Sequence, residues 1–149
     1  MADDIRLKIA ASIDAIEGAY EYFLAYAAQG ITEESNSGCV GAQLRTHLDA
    51  MAAALGGLGP QILALIEEGG SDATGDLAGF QAVVEADVRR ALAVVALVRA
   101  RESVTSQLVD NLNASVHVRT ALTDLFILDE VLKLGVDRAT LPEGSEPEG

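Results

Sequence analysis

The side chains of this chain best suited to chemistry are few: His47, His117, Cys39 and a handful of carboxylates beside apolar helix faces, Glu17 foremost. A di-metal carboxylate bundle would need Glu-x-x-His on two helices and glutamates on two more. Leu44 stands three residues before His47 and Ala114 three before His117, so that motif is absent. His47 lies beside Leu44, Leu48 and Met51, at the core side of its helix. His117 shares a face with Asp110, Asn113 and Asp124, opposite the leucine stripe. The two imidazoles are therefore not expected to converge on a haem or a metal. A partly buried His47 and a solvated His117 are expected, with no cofactor and no metal.

Acid–base catalysis needs carboxylates held in a pocket with displaced pKa values. Glu17 flanks an apolar stripe near Tyr20 and Glu21, but the bland reading is a boundary residue whose head group reaches water. Glu85 and Arg89 have the spacing of an ordinary surface pair on a helix. Cys39 falls in the expected first turn of a helix, where end amides can lower a thiol pKa. Its nearest base, His47, is two turns on, roughly 12 Å along the axis. The glycine clusters lack the Lys and Ser/Thr of a phosphate loop. No catalytic residue is assigned.

The elements that would position these groups are helices. Ile5, Ile9, Ile13, Ile16, Tyr20, Phe23 and Ala27 recur at helical spacing, predicting a first helix from Asp3 or Asp4 to Gln29, stopped by Gly30. Thr32 to Gly38 is a polar connection. A second helix begins near Ser37 with Leu44, Leu48, Met51, Leu55 and Leu58 on one face. Gly56, Gly57, Gly59 and Pro60 should weaken or break it, with Pro60 opening a short extra helix to Glu68. Gly69 to Gly75 is a second connection.

From Phe80 to Leu134 there is neither glycine nor proline. One helix over that length would run about 80 Å, unusual for a compact domain. The stripe Leu77, Phe80, Val84, Val88, Ala91, Val95, Val98 meets Glu102 where an apolar residue is due, and a new stripe follows: Leu108, Leu112, Val118, Leu122, Leu125. A turn is expected at Ser103-Val104-Thr105-Ser106, whose oxygens suit a helix cap; a single long helix is the alternative. The expectation is an all-α, four-helix bundle with a short extra helix over residues 1–136, followed by a disordered acidic tail, 137–149.

Composition narrows the function classes. With 23 Asp and Glu against 10 Lys and Arg, no basic stripe for phosphates can form, so nucleic acid and anionic membrane surfaces are not expected partners. A single cysteine permits no internal disulfide. Met-Ala-Asp-Asp is not the basic start of a signal peptide. The longest fully apolar run, Ala91 to Val98, is far short of the ~20 residues of a spanning helix. A cytoplasmic location is expected.

What remains is surplus apolar helix surface. Gly18 to Ala28 and Ala91 to Val98 are apolar nearly all round. Ala19, Tyr22 and Tyr26 lie off the core stripe of the first helix, Val94 and Leu97 off that of the third, and Leu125-Phe126-Ile127-Leu128 cannot all face one core. These flanks point to a non-enzymatic interaction or adaptor module that self-associates, as a homodimer or larger assembly, with Ala19, Tyr22, Tyr26, Val94 and Leu97 at the interface. The alternative is a small-molecule or cofactor carrier with Glu17, Tyr20 or His47 as pocket anchors.

Overall fold

In the computed structural model, residues 2–69 and 75–133 are described, and every regular element among them is a helix. Helix α1 (Ala2–Ala27) carries Asp3 and Asp4 in its first turn, where negative charge favours the positive end of the helix dipole. It stops just before Gly30, whose φ of +66° is a left-handed conformation that costs glycine little. The polar connection holds one 3-10 turn, Glu34–Asn36.

Helix α2 (Cys39–Glu67) corrects one expectation: it runs unbroken through Pro60. Proline inside a helix costs about 3 kcal/mol through its lost amide and its clash with the preceding turn. Beyond it, however, Ile62 and Leu65 are buried in phase with Leu55 and Leu58. Burying each such side chain returns roughly 1.5–3 kcal/mol, so continuing the helix outweighs stopping. By length and composition α2 would also qualify as a membrane span; here its Leu44, Leu48, Met51, Leu55 and Leu58 belong to the core.

Helix α3 (Gly75–Arg99) ends ahead of the expected turn, and Thr105 opens α4 (Ser106–Ala114), its side chain accepting a hydrogen bond from the Leu108 amide at 3.0 Å. The single-long-helix alternative is excluded. A further break, which the apolar pattern does not reveal, falls at Ser115. This residue takes extended geometry (φ −60°, ψ 128°) and caps α5 (Val116–Leu132) through the His117 amide. One residue out of helical conformation re-aims the chain without disturbing the leucine spacing.

Packing closes on itself. α1 lies against α2 and α4, α2 against α3, and α3 against α5. The expected stripes form the core: Ile9, Ile13, Ile16 and Phe23 from α1, Val84, Val88, Ala91, Val95 and Val98 from α3, and Leu112, Val118, Leu122 and Leu125 from α4 and α5 are all buried. Residues 70–74 of the expected second connection, and the expected disordered tail from 137 to 149, lie outside the described residues.

Two of the expected interface residues are core residues. Ala19 and Tyr26 are fully buried in the single chain, and Tyr22 and Val94 are partly buried against the core. Only Leu97 of that set stands well out, 68% exposed. The cause is that α1 has neighbours on two sides, α2 and α4, and so buries a broader arc than a one-sided stripe. Asn113 and Asp124, expected on a polar face, are also buried.

Candidate functional site

The densest polar construction joins the α1–α2 connection to the α3–α4 connection. Arg45, on α2, holds both carboxylate oxygens of Glu34, at 2.7 and 2.8 Å. The same guanidinium donates to the Arg99 and Arg101 carbonyls at 2.7 Å, placing a cation at the negative end of α3. Glu34 also accepts from the Val104 amide at 2.9 Å, and the Glu34 amide donates to Ser103 Oγ. The Arg45 hydrogen bonds hold the Glu34 carboxyl below its usual pKa despite partial burial, and Glu34 in turn raises that of Arg45.

Beneath this knot, α1 is tied to α4. The buried Tyr26 hydroxyl donates to the Val104 carbonyl at 2.6 Å. Ser106 Oγ donates to the Tyr26 carbonyl and accepts from the Ile31 amide, while the Ser106 amide donates to the Ile31 carbonyl. Each of these side chains is used in holding backbone.

The pocket anchors suggested by sequence lie apart from the three grooves described below. His47 is half-buried and stacks on Tyr22 with ring centroids 4.5 Å apart, and Tyr22 donates to the Val40 carbonyl at 2.8 Å. Tyr20 packs against the core, Glu17 is half-buried on α1, and neither lines the grooves described below. Cys39 is exposed at the start of α2, and His117 is exposed on α5. Glu85 lies against Gly59 of α2 and accepts from Gln81, while within α3 Arg90 pairs with Asp87, and Arg99 at the helix end pairs with Asp49 of α2. Among the described residues no cluster of three or more His, Cys, Asp or Glu could hold a metal ion.

An acidic pair that sequence reasoning missed spans α3 and α5. Asp124 is buried, and its carboxyl is pushed up to about 7 by desolvation first and then by its contact with Asp87. Arg90 reaches Asp87 at 3.3 Å from a mostly exposed position. The chain gives a partial signal for this pair: Asp124 stands four residues before Leu128, at the edge of the α5 apolar stripe.

Along the same seam the two helices leave a groove of about 480 Å³, lined by Asp76, Leu77 and Phe80 of α3 and by Ile127, Leu128, Val131 and Leu132 of α5. Its rim is apolar and open: Ile127 is 48% and Val131 63% exposed. Two other depressions, beside Thr105 and beside Ser103, are lined mainly by small and polar residues of the connections. In comparisons with known proteins, no family model matches the chain, and no curated protein or solved structure is significantly similar to it.

Proposed function

We propose that this protein is a non-enzymatic helical interaction module that self-associates through the outer faces of α3 and α5. The scaffold is read as a four-helix bundle whose fourth arm is α4 and α5 in succession, working in the cytoplasm. One observation carries the reading. Of the nine large apolar side chains exposed among the described residues, six lie on α3 or α5: Val83, Leu97, Val116, Phe126, Ile127 and Val131. Exposed apolar side chains concentrated on two helices that pack together support a docking face there. The polar knot of Arg45, Glu34, Tyr26 and Ser106, by contrast, is engaged in tying connections together.

Sedimentation equilibrium at micromolar to hundred-micromolar concentration tests this. A reversible dimer is expected for the wild type, and its loss in Leu97→Glu/Val131→Glu with helicity unchanged. A wild type that remains monomeric across that range overturns the proposal.

A second reading is favoured by the α3–α5 groove: a carrier of a small apolar molecule, with Asp76 as the polar group at its rim. Native mass spectrometry of the protein from its own cells separates the two, since a carrier retains a bound mass on the monomer.

A further inference from the structure

We infer that the partner on α3 is the α3 of a second copy, packed antiparallel about a two-fold axis at Val88. This rests on the self-association proposed above and names its geometry. The outward positions of α3 run Gly79, Val83, Ala86, Arg90, Ala93 and Leu97, alternating steps of four and three residues. That is the heptad spacing of a helix pair. None of the six is a core residue: Ala86 is half-buried and the other five are exposed. The inner stripe of the same helix is separately buried against α2 and α5.

The seam reads the same in both directions about Val88, so an antiparallel copy aligns it with itself. Each larger side chain then meets a small one: Leu97 meets Gly79 of the other copy, Val83 meets Ala93, and Arg90 meets Ala86. Alternating large and small residues let two helices approach to the short end of the usual 8–10 Å spacing. A Cβ added at Gly79 would meet nothing within 4 Å among the described residues, so packing inside the chain does not require glycine there.

Charge selects the same arrangement. The chain carries a net charge of −13, yet these six positions include no carboxylate and one arginine. Beside the seam, Asp87 and Asp124 form an acidic pair with one arginine reaching it, Arg90. In the antiparallel pair, Arg90 of the other copy falls over Ala86, next to Asp87, and supplies a second positive charge. A single helix-on-helix seam is a small interface, at the low end of specific association, for which the general bound is about 1,000 Å². A weak, reversible dimer is the expected consequence.

The test is cysteine cross-linking in a Cys39→Ser background. Gly79→Cys and Leu97→Cys proteins are mixed, allowed to exchange subunits, mildly oxidised and analysed by mass. The expected product is the mixed 79–97 disulfide, with little 79–79 or 97–97 product, because like positions lie about 27 Å apart in this register. Sedimentation of unoxidised wild type runs in parallel, together with Arg90→Glu, which should weaken the dimer at least tenfold. A dimer whose cross-links are 79–79 and 97–97, or absent, overturns the antiparallel pairing and leaves self-association standing. A monomeric wild type overturns both.

Discussion

Arg45 grips Glu34 through two nitrogens and also donates to the Arg99 and Arg101 carbonyls at and just beyond the end of α3, so one side chain fastens the α1–α2 connection to the α3–α4 connection. A bidentate pair of this kind is stronger than a surface salt bridge because each partner is also fixed by backbone. Glu34 is held further by the Val104 amide.

Arg45→Ala should therefore lower unfolding stability by about 1–3 kcal/mol, measured by urea denaturation at pH 7. The loss comes from an acidic group left without its cation and from uncapped carbonyls at Arg99 and Arg101. A change within about 0.5 kcal/mol would show that the pair contributes no more than an exposed ion pair.

Glu34 and Asp124 should give stability slopes of opposite sign. The Glu34 pKa is lower in the folded chain than its ordinary value of 4.5, so its contribution is complete above that value and is lost as acid protonates it. Glu34→Gln should flatten the wild-type decline in stability below about pH 4.5. Asp124 is raised from 3.8 to about 7, so the native state favours its protonated form. Stability from this group is complete below the lower value and is lost as the pH climbs towards the upper one.

Asp124→Asn should accordingly remove a fall in urea midpoint between about pH 4 and pH 7 and raise stability at pH 8. The amide keeps the shape of a protonated carboxyl and can donate to Asp87 without adding charge. A wild-type midpoint that stays level over this window would contradict the buried acidic pair.

Ser106→Ala should cost about 1–3 kcal/mol, more than Tyr26→Phe at about 1–1.5 kcal/mol. The serine hydroxyl serves two backbone groups, the Ile31 amide and the Tyr26 carbonyl, whereas the phenol serves one carbonyl. Thermal melts of the two variants and of the double variant would rank them and measure their coupling.

Tyr22→Glu and Leu97→Glu should separate folding from surface. Tyr22 stacks on His47 and donates to Val40, so the charged replacement should cost about 2 kcal/mol of stability. Leu97 is exposed, and its replacement should stay within about 0.5 kcal/mol of wild type. Equal losses in chemical denaturation would place Leu97 in the core rather than on the outer face.

Several features are legible in the residue order alone. Ile9, Ile13 and Ile16, then Leu44, Leu48 and Met51, then Val84, Val88 and Val95 announce their helices and core faces, because a 3.6-residue period leaves no other structure able to bury them together. The turn before Thr105 is equally readable, since the apolar stripe fails at Glu102 and capping oxygens follow. The outward surplus in Phe126 and Ile127 also follows from spacing, as four consecutive apolar residues cannot share one face.

Tertiary structure decided the rest. Ala19 and Tyr26 are buried because α4 covers a second side of α1, and no periodicity within α1 says how many neighbours it has. Pro60 stays helical because burial on both sides of it outweighs a local cost. Asp124 meets Asp87 because the chain turns at Ser115 and α5 packs against α3. A sequence specifies which face of a helix is oily; the number and angle of its neighbours specify how much of the remainder meets water.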